Sequence, residues 1–275
     1  MNDSEDEFTR FEHEGWERVA ERYDSVWSSL TRQFIPPLLS AARVSPGQKL
    51  LDDACGPGYV AAAAKQLGAT PFGVDFSSQM VRAATRLYPS IEFQEGDAQQ
   101  LTFADNSFDR VVMNFGLLHL SKPERACAEA CRVLRPGGRF ACTVWAGPEE
   151  NPGARIMNHA LETHADMTVP IPSGPPYYLF TSRDECRSGL QEVGFDKESL
   201  TFDTISVEWQ VPSATFLFEA ERDAGVRTAA LLAQQTAERL ASIRSAIEQS
   251  VKPYARGERF SIPMSAHVIA VSKRS

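Results

Sequence analysis

The order of residues predicts an α/β fold built on a doubly wound, mostly parallel sheet. Three observations carry that expectation. Five strand-like runs lie between positions 49 and 145, most of them separated by a helix-patterned segment, and strands spaced by helices require right-handed crossovers. The first run passes through Leu50-Leu51-Asp52-Asp53-Ala54-Cys55-Gly56-Pro57-Gly58-Tyr59-Val60-Ala61, which reads as a strand, a tight small-residue loop and a helix start. Finally, Phe108 to Phe115 is continuously apolar after its Asp109, as suits a strand covered on both faces.

Taken in order, Met1 to Thr9 is crowded with acidic residues and is expected to fray. Trp16, Val19, Ala20, Tyr23, Val26, Trp27 and Leu30 recur at threes and fours. They predict one amphipathic helix over 11–30, or two broken near Asp24. Phe34 to Ala42 is a further helix with Pro36-Pro37 in its first turn. Strands follow at 49–53, 70–75, 91–95, 108–115 and 139–145, and helices at 60–67, 77–87 and 122–134. Beyond these come helices at 151–165 and at 183–193, the second capped from Thr181-Ser182 and stopped by Gly194. A strand over 199–211, helices over 213–224 and 226–251, and a last strand over 260–272 complete the chain. The expected organisation is N-terminal helices over 1–45, a ligand-binding core over 46–146, a lid elaboration with the sixth strand over 147–257, and a final strand over 258–275.

The 275 residues carry a net charge of −8, which argues against nucleic acid or an anionic membrane as partner. No apolar run has the length of a bilayer span, and the polar first residues do not read as a secretory signal, so a cytoplasmic location is expected. The five cysteines form no Cys-x-x-Cys pair, and no metal-ligating constellation stands out. Cys127 and Cys131, four apart on a helix, read as small buried hydrophobes.

In a doubly wound sheet the ligand sits beyond the carboxyl ends of the strands, which points to the Ala54–Gly58 loop. Gly56 to Ala61 fits the dinucleotide pattern G-x-G-x-x-G/A, and Asp75 follows at the end of the second strand where a carboxylate takes ribose hydroxyls. A nicotinamide-dependent oxidoreductase is therefore one reading. Asp52 favours another, because a carboxylate at the strand end suits an amino group or sulfonium better than pyrophosphate. Glu95-Gly96-Asp97-Ala98, closing the third strand, offers Asp97 to an exocyclic amine and the Ala98 N–H to a ring nitrogen. Arg135-Pro136-Gly137-Gly138 places a sharp turn before the fifth strand.

Taken together, Leu50–Gly58, Val74–Met80, Gly96–Ala98, Phe108–Leu120 and Leu134–Gly138 resemble the class I S-adenosylmethionine-dependent methyltransferases, in their type 11 or UbiE-like small-molecule group. The resemblance spans roughly residues 15–145. It departs at Ala54, where the family has a glycine, and alanine keeps the loop small. It implies a Rossmann-like seven-stranded sheet with the last strand antiparallel beside the fifth, and S-adenosyl-L-methionine as cofactor, leaving as S-adenosyl-L-homocysteine. It further implies that Asp52, Ala54, Gly56 and Gly58 line the methionine moiety, Asp75 holds the ribose, Phe76 and Met80 cover the adenine, and Asp97 and Ala98 read its edge. Asn114, Phe115 and Gly116 would border the sulfonium, and Tyr23 either closes over the cofactor or packs as a core aromatic.

Methyl transfer from a sulfonium is an in-line displacement, so alignment and exclusion of water are the main tasks. An acceptor that must lose a proton also needs a base. His119 follows the fourth strand and is the candidate, the alternative being a histidine that shapes the pocket. Tyr177, Tyr178, Phe180 and Phe216 are the candidate substrate residues of an aromatic lining that also draws on Trp145 and Met157. The expected substrate is a small hydrophobic or aromatic molecule methylated on oxygen, carbon or nitrogen. The competing readings are the oxidoreductase and a binder whose cofactor donates no methyl group.

Overall fold

The computed structural model describes residues 3–275. In chain order the elements are α1 (Asp3–Val26), α2 (Ser28–Thr31), α3 (Ile35–Ala41), β1 (Lys49–Asp53), α4 (Tyr59–Gln66), β2 (Thr70–Asp75), α5 (Ser78–Leu87), β3 (Glu92–Glu95), β4 (Phe108–Asn114), α6 (Pro123–Val133), β5 (Leu134–Trp145), α7 (Pro152–His164), α8 (Arg183–Glu192), β6 (Phe195–Val211), α9 (Phe216–Ala224), α10 (Arg227–Ala233), α11 (Ala237–Val251), β7 (Ala255–Arg256) and β8 (Arg259–Lys273). The sheet runs β3-β2-β1-β4-β5-β8-β6. The first five strands are parallel, β8 is antiparallel between β5 and β6, and short β7 folds back on β8 as a hairpin. That is the predicted mixed α/β sheet with its last strand reversed.

Two apolar layers sandwich the sheet. Leu51, Val111, Met113 and Phe140 pack beneath α6 and α8, and Leu50, Val112 and Ala141 pack beneath α3 and α4. A third cluster joins Trp209 and Ile262 to α7, α9 and α11. The five cysteines are free and buried. The strand order reverses between β1 and β4, so the loops leaving these two strands open side by side.

Three expectations need correction. Met1 and Asn2 lie outside the described residues, but the segment expected to fray is helical from Asp3 onward. Phe8 holds it there, buried beneath the Arg227 guanidinium and against Gly174, where a Cβ would lie 2.2 Å from the Phe8 ring. The helix expected over 226–251 is two helices. The chain breaks at Gln234–Thr236, where the Gln235 amide bonds both the N–H and the carbonyl of Asp166 and the Thr236 hydroxyl caps α11 by accepting the Arg239 N–H. The turn 135–138 lies inside β5 as an irregularity, with pairing to β4 jumping from Phe108↔Leu134 to Arg110↔Arg139.

Candidate active site

The loop after β1 is held by its neighbour. Asp75, at the end of β2, accepts the Gly56 N–H through Oδ2 at 2.8 Å and the Ser77 N–H through Oδ1 at 2.9 Å. Burial pushes this carboxyl up to about 6 against those two bonds. Ala54 adopts φ +58, a left-handed backbone that costs an alanine about 1 kcal/mol. Gly56, at φ +50, faces open space, since a Cβ there would meet nothing within 4 Å.

These residues line a cavity that opens to solvent. Ten of the thirteen positions expected to bind cofactor stand on its wall. Ala54, Gly56, Asp75, Phe76, Met80 and Ala98 come from the ends of β1 and β2 and from beyond β3, Asn114, Phe115 and Gly116 from the end of β4, and Tyr23 from α1. The Tyr23 hydroxyl pairs with Thr31, and burial pushes it up to about 12.

The other three do not reach it. Asp52 is fully buried behind the loop, where Oδ2 accepts the Ala61 N–H at the start of α4. The strand alternates faces, so a carboxylate at this position anchors the helix rather than meeting the crevice. Gly58 caps α4 at φ +82, and a Cβ there would sit 2.7 Å from the Phe93 ring, not in the cavity. Asp97 lines an outer groove with His13 and Glu95, sharing Phe76 and Gly96 with the main cavity, and accepts the Gln99 N–H.

His119 lies on the cavity wall. Its Nδ1 is 2.9 Å from Glu12 Oε2, and its ring meets Trp16 edge-on at 4.7 Å. Glu12 is fully buried and accepts Arg227 Nε through Oε1 at 2.8 Å. Burial pushes Glu12 up, but His119 and Arg227 outweigh it and hold the carboxyl below its usual range. Arg227 also donates to the carbonyls of Pro175 and Leu118. Residues more than a hundred positions apart thus close one polar network at the cavity edge.

A second cavity adjoins the first, and Trp27, Trp145, Tyr177, Glu221 and Thr228 stand on both walls. Of the expected substrate residues, Tyr177 is among these. Tyr178 lines only the second cavity, where its hydroxyl bonds Asn158. Phe180 packs instead with the cluster that holds Cys186 and Leu190, and Phe216 packs edge-on against Trp209 at 5.6 Å. Neither lines either of these two cavities. Sequence spacing had no means of separating Glu221 from Glu219, Arg222 and Asp223 on the same helix. In the fold, Glu219 bonds Thr215 and faces Arg244, and Arg222 bonds Asp223, while Glu221 turns inward.

The wall fits a cofactor bearing ammonium and sulfonium groups. Asn114 Oδ1 is buried on it without a hydrogen-bond partner, Gly56 leaves backbone bare, and the Asp75 carboxyl supplies an acidic group. Among the described residues no helix is long and apolar enough to cross a membrane.

Residues 51–142 match the family described as methyltransferase domain. The chain is 36% identical over 194 residues to a demethylmenaquinone methyltransferase of Renibacterium salmoninarum, covering 66% of this chain and 82% of that one. Its fold is similar to that of a SAM-dependent methyltransferase of Thermotoga maritima, with a TM-score of 0.55 at 18% identity, over 96% of this chain and all of that one. It is also similar to phosphoethanolamine N-methyltransferase 2 of Haemonchus contortus, solved with S-adenosylhomocysteine, with a TM-score of 0.57 at 17% identity over 98% of this chain and 60% of that one.

Proposed function

Because the chain belongs to the class I S-adenosylmethionine-dependent methyltransferases of the UbiE-like group, we propose that it methylates a small ring-bearing acceptor seated where the two cavities meet. S-adenosylmethionine is the cofactor of this enzyme, and when bound it supplies a methyl group on a good leaving group. The observation that carries the acceptor assignment is the wall shared by the two cavities, where Trp27, Trp145 and Tyr177 stand with Thr228 and the Glu221 carboxylate, an aromatic lining with one acidic group. The name of the relatives makes a quinol-type ring the first acceptor to test.

In this reading Asp75, Phe76, Met80 and Ala98 bind the adenosine part and Gly56 the methionine moiety, with Asp75 keeping lone pairs for hydroxyl groups beyond those engaged by Gly56 and Ser77. Asn114 Oδ1 accepts a hydrogen bond from the amino-acid part. Phe115, stacked on Trp145 at 4.0 Å between ring centroids, excludes water beside the reacting atoms. His119 is assigned as a positioning residue: its Nδ1 donates to Glu12, and it lies close enough to lower the Asp75 carboxyl.

The test is transfer of labelled methyl to a panel of ring hydroxyl compounds that includes naphthalene-1,4-diol, with calorimetric binding of S-adenosylhomocysteine alongside. Labelled product from a ring acceptor is expected. Tight S-adenosylhomocysteine binding with no labelled ring product from any of them would overturn the acceptor class.

A further inference from the structure

We propose that Glu221 is the general base of the acceptor site, taking the proton of a ring hydroxyl as the methyl group is transferred. This rests on the reading that a ring-bearing acceptor occupies the cavity. Among the described residues Glu221 is the single carboxylate that lines both cavities. It stands beside Tyr177 and Thr228, and Gly225 leaves room for it, since a Cβ at 225 would lie 2.9 Å from Glu221 Oε2.

No cation neutralises it among the described residues. Arg222 on its own helix is bonded to Asp223, and Arg227 on α10 is committed to Glu12 and two carbonyls. Arg22 on α1 reaches Asp223, and Arg244 on α11 reaches Glu219. The other titratable groups near it are Tyr177 and Tyr178 from the loop before α8, and Glu162 from α7 on the second cavity. Burial pushes Glu221 up to about 7, with the Thr228 hydroxyl opposing. A group poised near neutrality accepts a proton in the transition state and returns it to solvent afterwards.

The same carboxylate would hold an amine acceptor in its protonated, non-nucleophilic form. A hydroxyl gains from it the deprotonation that it needs. The O–H bond breaks towards Glu221, the electron pair left on oxygen forms the O–CH₃ bond, and the pair of the S–CH₃ bond departs on sulfur. Proton, methyl group and charge are all accounted for.

The test measures binding of 2-naphthol, its methyl ether and 1-naphthylmethylamine to the complex with S-adenosylhomocysteine, by calorimetry between about pH 5.5 and about pH 8.5, where the naphthol keeps its proton. Wild type should favour the naphthol over the ether about tenfold at the alkaline end, with the preference fading below a midpoint near 7. Glu221→Gln should keep S-adenosylhomocysteine affinity but lose that pH dependence, and Glu221→Asp should retain it. With labelled cofactor, Glu221→Gln should lower kcat about a hundredfold and change KM less. A Glu221→Gln protein that keeps the pH-dependent preference, or a wild type that transfers labelled methyl to the amine faster than to the naphthol, overturns the base while leaving the ring-acceptor reading intact. Failure of all three compounds to bind wild type, with S-adenosylhomocysteine bound normally, overturns the reading itself.

Discussion

Asp53 is the least comfortable residue of the fold. It is fully buried on β1, with no side-chain partner for its carboxyl and only the backbone N–H of its neighbour Ala54 to oppose the burial. Burial, reinforced by Asp97 and Asp75, pushes it up to about 8. An unfolded aspartate ionises near pH 4. Between those values the folded protein holds a proton that the unfolded chain has released, so stability falls as pH rises, by up to about 1.4 kcal/mol per unit. Asp53→Asn removes that slope. It should stabilise the protein by about 2–4 kcal/mol near pH 7.5 and by almost nothing near pH 4, as read from urea midpoints at the two values. Equal gains at both would mean that Asp53 is ionised in the folded state. The neighbouring Asp52 shows how much one position matters: it shares the burial but spends one oxygen on the Ala61 N–H.

At the scale of elements, what was legible in the sequence was what local chemistry decides. Strands β1 and β2 have their predicted bounds, and Ser77 and Ser182 cap α5 and α8 as their positions announced, by accepting the N–H groups of Met80 and Glu185. Of the ten expected positions that stand on the cavity wall, all but Tyr23 and Met80 lie at the ends of parallel strands or in the loops that follow them, which is why their place could be read from the strand order. What escaped depends on distant partners. The break at Gln234–Thr236 needs Asp166, the order of the first turns of α1 needs Arg227 and Gly174, and the inward turn of Glu221 needs the lid around it. The clearest such dependence is the staple between α1 and α5. Glu17 accepts hydrogen bonds from the Ser77 and Ser78 hydroxyls at 2.7 and 3.1 Å and from the Gln79 N–H at 3.1 Å. It thereby places a carboxylate at a helix N-terminus from another element. Glu17→Ala should cost about 1–2 kcal/mol of stability. It should also weaken S-adenosylhomocysteine severalfold, because Phe76 and Met80 flank that helix start, and calorimetry of the variant checks both. Unchanged affinity would confine the staple to stability.

Across the whole molecule, Glu12 gathers what the chain separates, holding α1 to the loop after β4 through His119 and to α10 through Arg227. Its folded pKa is lowered in spite of burial, so the sign is opposite to that of Asp53. The stabilisation is complete above the ordinary carboxylate range and is lost as pH falls through the depressed folded value. Protonation there removes the counter-charge of Arg227 and releases α1 from the cavity edge. Glu12→Gln should reproduce that state at neutral pH, costing about 3–5 kcal/mol because the guanidinium stays buried without its partner. The cost should fall unevenly. Amide hydrogen exchange should quicken along α1, which this network and the Glu17 staple help to hold in place, while β1, β4 and β5 in the sheet centre keep their protection. Uniform loss of protection across α1 and the central strands would instead show that α1 and the sheet unfold as one unit, and that the network is part of the core rather than the latch of a separable cover.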